Sequence, residues 1–140
     1  MEYRIQETCR GVDWEAAYGI LDSVRMASHP LEQVRRAFEN SYRVVFVFAG
    51  DDLLGFGRAI SDGVYEAAIY DIAVRPEHQG KKIGTLIVTK LMEGLTGMDT
   101  ILFAMPGRES FYRALGFARL LTGMARFVRA GALREKGFTD

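Results

Sequence analysis

Between Tyr65 and Ala104 the hydrophobic pattern changes period twice, and no other feature of the chain constrains its fold as strongly. Tyr65 to Val74 reads as an extended segment. Lys82 to Leu95 then carries Ile83, Leu86, Ile87, Leu91 and Leu95 at helical spacing, and Ile101-Leu102-Phe103-Ala104 is again a short apolar strand. A strand–loop–helix–strand crossover places its two strands parallel. Upstream, Val44 to Ala49 (VVFVFA) is a β-branched and aromatic run, hence a buried strand. Gly50-Asp51-Asp52 turns the chain into a strand over Leu53 to Ile60, whose two glycines weaken it or mark bulges. Ser61-Asp62-Gly63 turns it again into the strand from Tyr65. Three strands joined by short turns form an antiparallel meander.

The flanks complete the layout. Tyr3-Arg4-Ile5 reads as a first short strand. Asp13 caps a helix carrying Trp14, Ala17, Leu21 and Val24, and Pro30 opens a second with Leu31, Val34 and Phe38 on one face. Gly107 to Leu115 reads as a short helix ended by Gly116 in the left-handed conformation. Phe117–Leu120 and Met124–Arg129 read as a closing hairpin around Thr122-Gly123. The expectation is an α/β fold with a mixed, largely antiparallel sheet, one parallel pair and helices on both faces, forming a single domain over residues 1–140.

Composition narrows the function classes. Eighteen basic and eighteen acidic side chains cancel, and no basic run stands out, so nothing in the charge favours nucleic acid. Arg126, Arg129 and Arg134 are spaced singly, as on a solvated edge. No apolar run approaches the ~20 residues of a membrane helix, and the polar start MEYRIQETCRG resembles neither a secretory signal nor an Arg-rich transit peptide. Cys9 is the only cysteine, which excludes an intrachain disulfide and points to a reducing cytoplasm. No base stands beside it in the sequence to make it a nucleophile. No residue is assigned to a metal.

The chemistry concentrates in Val74-Arg75-Pro76-Glu77-His78-Gln79-Gly80-Lys81-Lys82-Ile83-Gly84-Thr85. A strand ends, Pro76 forbids an immediate helix, and a helix begins near Lys82. The first N–H groups of a helix lack internal partners and carry about half a positive charge. Two glycines and two lysines beside them suit a pyrophosphate. Gly80 and Gly84 do not match the dinucleotide spacing G-x-G-x-x-G, and Gly80-Lys81 lacks the Ser or Thr of a Walker loop.

This stretch resembles the fingerprint of the GNAT family of N-acetyltransferases: Gln or Arg, two residues, Gly, one residue, Gly or Ala. Gln79, Ile83 and Gly84 fit, while Lys82 stands at the first glycine, where a helical first turn would accommodate it. Asp71 to Glu77 is also typical. Glu109-Ser110-Phe111-Tyr112-Arg113-Ala114-Leu115-Gly116-Phe117 looks like the family's second signature, and Gly57 to Gly63 resembles the plant arylalkylamine (serotonin-type) enzymes and their bacterial relatives.

The resemblance implies acetyl-CoA (coenzyme A) as cofactor, an amine of a small molecule as acceptor, and direct attack. It makes Gln79, Gly80, Lys81, Lys82, Ile83, Gly84 and Thr85 the pyrophosphate cradle. The backbone of Ile72, Ala73 and Val74 becomes the partner of the pantetheine arm, along a strand that splays from its neighbour. Tyr112 becomes the general acid at the coenzyme sulfur. The family's strand Glu is replaced by Ala68. Glu66 shares that face and Asp71 does not, unless a bulge intervenes; Asp71 is the first candidate for base or amine-binding group, Glu66 the second, with a water chain as the alternative. His78 reads as a surface residue, and His29 as a helix cap in preference to a residue lining the amine pocket. Met105-Pro106-Gly107-Arg108 lacks the family's asparagine; Arg108 contacts the coenzyme phosphates or is solvated. A homodimer is expected by analogy. The other readings are a noncatalytic acyl-CoA-binding module and a protein or peptide N-acetyltransferase.

Overall fold

A computed structural model describes residues 2–140. The chain divides into two compact units, one ending at Leu102 and one spanning Phe103–Asp140. The first contains β1 (Arg4–Gln6), α1 (Trp14–Ser23), α2 (Leu31–Glu39), β2 (Arg43–Ala49), β3 (Asp52–Ser61), β4 (Glu66–Val74), α3 (Ile83–Glu93) and β5 (Asp99–Ile101). Its sheet has the order β1-β2-β3-β4-β5, antiparallel throughout except for the β4–β5 pair. The mixed sheet and its single parallel pair follow from the change of period between Tyr65 and Ala104.

The two faces of the sheet are built differently. Toward α1 and α2 the strands send Val44, Phe46, Phe48 and Phe56, which pack with Ala17, Ile20, Leu21 and Phe38. Trp14, Phe38, Phe46 and Phe56 stack there with ring centroids 5.4–6.1 Å apart. Edge and tilted aromatic pairs of this kind add about 0.5–1.5 kcal/mol each beyond area burial. Toward α3, β3 presents two positions with no side chain, beside the buried Val45 and Val47 of β2. A Cβ on Gly55 would stand 2.7 Å from the Ala73 carbonyl oxygen and 3.2 Å from Ile87 Cδ1, and one on Gly57 would crowd Ile72, Ile87 and Leu91. These two glycines let Ile87 and Leu91, two of the buried residues of α3, lie directly on the backbone.

Both glycines also lie at register shifts. Val47 pairs Gly55 while Phe48 pairs Leu53, which leaves Leu54 extra on β3. Phe56 pairs Ala73 while Arg58 pairs Tyr70, so Asp71 and Ile72 face the single residue Gly57. Asp71 takes φ 57°, the left-handed region. This is a β-bulge in β4.

Helix ends follow the sequence with small changes. Asp13 Oδ1 accepts from the N–H groups of Glu15 (3.1 Å) and Ala16 (3.2 Å), as its cap position requires. Pro30 is itself the cap residue of α2 rather than its first helical residue, and it offers no side-chain cap. His29 does not cap either: its Nδ1 lies 2.8 Å from Ser28 Oγ, because the extended backbone that a following proline imposes turns it away from the helix start.

β5 runs Asp99–Ile101, two residues earlier than the apolar run suggests. The Asp99 N–H donates to Tyr65 O (2.9 Å), which starts the parallel ladder at Glu66↔Asp99, and Phe103 belongs to the second unit.

The second unit holds α4 (Glu109–Ala114) and α5 (Ala130–Glu135). Gly116 has φ 96°; its N–H donates to Arg113 O (3.0 Å) and that of Phe117 to Tyr112 O (3.1 Å), the paired bonds of a Schellman ending. The expected hairpin of Phe117–Leu120 with Met124–Arg129 does not form. Phe127 instead joins Phe103 and Phe138, at centroid distances of 5.4 and 6.4 Å, and the residues after it enter α5.

Candidate active site

β4 carries a partner on one side only for part of its length. Its pairing with β5 covers Glu66, Ala67 and Ala68, whereas β3 follows it to Val74. From Ile72 to Val74 the edge away from β3 has no strand beside it among the described residues. The bulge at Asp71 and Ile72 lies at the start of that free edge. Unpaired strand backbone is a partner for any amide-bearing chain.

After Val74 the chain makes a 3-10 turn over Pro76–His78 and enters α3 through Gln79, Gly80, Lys81 and Lys82. The Gln79 amide does not project into open space. It donates to Val74 O (3.1 Å), tying the loop to the strand end. Gly80 has φ 79° and nothing within 4 Å of where a Cβ would stand, so the backbone is approachable there. Lys82 takes φ 66°, ψ 19° as the residue before α3, with no side-chain cap. The helical first turn expected for it is therefore wrong: the position is left-handed, the conformation glycine adopts without cost. The first helical bond there runs from Leu86 N–H to Lys82 O (3.1 Å). The N–H groups of Ile83, Gly84 and Thr85 precede any intrahelical partner, and the first turn holds no acidic side chain. Free donors, an accessible glycine and two exposed ammonium groups fit a pyrophosphate.

The bulge settles which face Asp71 occupies. Its Oδ2 accepts from Arg58 Nε at 2.6 Å. Arg58 lies 5.7 Å from the Phe38 ring centroid and 5.3 Å from that of Tyr70, so the pair stands on the α1–α2 side with Tyr70. Strict alternation would have turned Asp71 toward α3. Glu66, at the opposite end of β4, is about five residues away, roughly 15 Å along an extended strand, and is exposed.

In the second unit Tyr112 is half-buried on α4, its ring 4.9 Å from that of Phe111 and 5.9 Å from that of Phe117. Burial pushes its phenol above the ordinary tyrosine range, so the hydroxyl is a proton donor at neutral pH. Arg108 is the exposed residue before α4, and Arg126, Arg129 and Arg134 are exposed or nearly so at their places in the second unit. His78 is not simply a surface residue, since its Nδ1 is buried without a hydrogen-bond partner.

A cleft of about 370 Å³ elsewhere in the first unit is lined by Glu7, Cys9, Glu39, Arg43 and neighbours and includes none of these residues. The Cys9 thiol there is pushed up, first by burial and then by Glu39, which disfavours the thiolate a nucleophile needs. Among the described residues no helix is long and apolar enough to cross a membrane.

The fold is a mixed α/β sheet whose fourth strand loses its β5 partner and runs through a glycine-containing loop into an uncapped helix start. The model of the acetyltransferase (GNAT) family matches residues 8–117, and the chain belongs to that family. It is 36% identical over 107 residues to an uncharacterized N-acetyltransferase ycf52 of Pyropia yezoensis, covering 71% of this chain and 62% of the relative. It is 31% identical to the chloroplastic serotonin N-acetyltransferase 2 of Oryza sativa subsp. japonica, covering 83% and 62%. The chain thus spans about three fifths of the length of these curated relatives. Among solved structures, a protein of unknown function from meticillin-resistant Staphylococcus aureus has the same fold, with a TM-score of 0.81 at 22% identity, covering 91% of this chain and 99% of that one. A GNAT family acetyltransferase from Streptococcus pneumoniae gives 0.77, also at 22% identity, with the same coverage.

Proposed function

We propose that this chain is an acetyl-CoA-dependent N-acetyltransferase that acetylates the amine of a small molecule. The observation that carries the reading is the path of β4. The strand leaves β5 after Ala68, bulges at Asp71, and leads through Gln79–Thr85 into the uncapped start of α3. Acetyl-CoA, when bound, supplies an acyl thioester activated toward a neutral amine. The N–H groups from Gly80 to Thr85, with Lys81 and Lys82, hold its pyrophosphate, and Gln79 braces that loop on the strand end. The backbone of Ile72, Ala73 and Val74, free of β5, would hold its pantetheine arm. Asp71 holds the acceptor ammonium or takes its proton at a carboxylate oxygen. By its place in the second signature Tyr112 would be the proton donor for the leaving thiolate, and burial keeps its phenol neutral. The family match runs past the division at Leu102 to residue 117, which supports one transferase domain spanning it. The rice relative's name makes aromatic amines the first acceptors to try. The lone free cysteine supports a reducing compartment such as the cytoplasm.

Thermal stabilisation by acetyl-CoA, with ATP and NAD as controls, tests the donor site. At a hundred times its dissociation constant a ligand adds ~2.7 kcal/mol. Thiol release with an amine panel then tests transfer, and Tyr112→Phe should lower turnover while coenzyme binding persists. No shift with saturating acetyl-CoA defeats the reading. Unchanged turnover in Tyr112→Phe defeats the acid assignment.

A further inference from the structure

The bulge that directs β4 is held by an unusual residue. Left-handed backbone is strained for any residue with a Cβ, and Asp71 occupies it in the interior of a strand at φ 57°. Gly57 opposite it is already filled around by Ile72, Ile87 and Leu91, so the bulge has Ile72 on the α3 side and Asp71 on the other. On that other side the Asp71 carboxylate meets Arg58, at 2.6 Å. Arg58 is in turn fixed: its side chain is 15% exposed, lies against the Phe38 and Tyr70 rings, and reaches Ser41 Oγ at 3.5 Å. A guanidinium packed this way offers its Nε from one direction only. Were the strand to slip by one residue into regular alternation, Asp71 would turn toward the apolar layer of α3 and leave Arg58 without its carboxylate in a half-buried place.

We infer that Arg58 is a positioning residue: its ion pair with Asp71 holds the β4 bulge and so aims the backbone of Ile72–Val74 at the coenzyme. The inference rests on the transferase reading for what the aimed backbone binds, but its structural content is independent of it. Arg58 acts through Asp71 and touches no reacting atom.

The experiment compares the full chain with Arg58→Met, Asp71→Gly and the double variant, using calorimetry with desulfo-coenzyme A as the probe. Arg58→Met should weaken binding about tenfold, the scale of one unsupported left-handed residue. With glycine at 71, which holds the bulge without help, the further loss from Arg58→Met should shrink below about threefold. Equal losses in both backgrounds, or an Arg58→Met protein that melts lower yet binds as the wild type does, overturn the inference. Arg58→Gln serves where the Met variant does not fold. In labelled protein, a strong intraresidue HN–Hα cross-peak at residue 71 marks positive φ. It should be present in the wild type and lost in Arg58→Met or Arg58→Gln, and its persistence in the variant also overturns the inference. If the wild-type chain fails to bind the probe, the transferase reading falls, and the cross-peak alone decides the role of Arg58.

Discussion

Replacing Lys82 separates backbone strain from charge at the mouth of α3. Lys82 sits at φ 66°, ψ 19°, and its side chain is exposed. Left-handed backbone costs a residue with a Cβ about 1–2 kcal/mol. Glycine removes that cost but gives back about 0.4–1 kcal/mol through the freedom of the unfolded chain. Lys82→Gly should therefore stabilise the protein by about 0.5–1 kcal/mol, which for a chain of this size raises Tm by roughly 2–4 °C. Lys82→Ala keeps the Cβ and should melt near the wild type. Both variants lose the same charge, so both should weaken coenzyme binding by the few-fold worth of one exposed cation, under ~1 kcal/mol. Melts of the two variants without ligand, followed by titrations with coenzyme, read the two effects apart. If the Lys82→Gly protein melts at or below the Lys82→Ala protein, the left-handed assignment is refuted.

Gly55→Ala should destabilise by about 1–3 kcal/mol, because its Cβ meets a backbone oxygen at 2.7 Å that cannot turn away; urea unfolding measures it, and a neutral result means β3 and β4 shift apart freely. The Asp62 carboxylate is held below the usual carboxylate range by the N–H of Val64, then Tyr65, with Glu66 adding to it. Its stabilising contribution is present above the unfolded value of ~3.9 and is lost as pH falls through the lowered one, so Asp62→Asn should flatten the acid limb of Tm against pH below about 4. Tyr112 should be among the last tyrosines to ionise in an ultraviolet titration, since burial pushes its phenol up; Tyr112→Phe should remove amplitude from the late phase, and amplitude lost near the ordinary value of ~10 would contradict its burial.

Much of this was legible in the residues because it depends on local periodicity or local caps. The Asp13 cap, the buried run Val44–Ala49, the α3 stripe and the left-handed Gly116 each follow from a few consecutive residues. The misses depend on partners distant in sequence. Alternation along Glu66–Val74 gives no sign that two residues will oppose Gly57, because a bulge belongs to a pair of strands; the two glycines of β3 were its trace. β5 begins early because Asp99 finds Tyr65, not because of its own composition. Residues 117–129 have the apolar content of strands, yet none of them takes strand conformation. At Lys82 the family pattern held the clue, since a glycine in that place marks a backbone conformation rather than an open space.

The unequal faces of the sheet divide the molecule by what can change over time. On the α1–α2 side, four large rings fill the layer, and rings and aliphatic chains of similar volume can be exchanged with modest repacking. On the α3 side the helix packs against Gly55 and Gly57, and an atom added at Gly55 meets the Ala73 carbonyl oxygen, which has no rotamer to change. A lineage built on this frame can exchange rings on the α1–α2 side away from Arg58, while Gly55 and Gly57 hold the registration of α3 against β3 and β4.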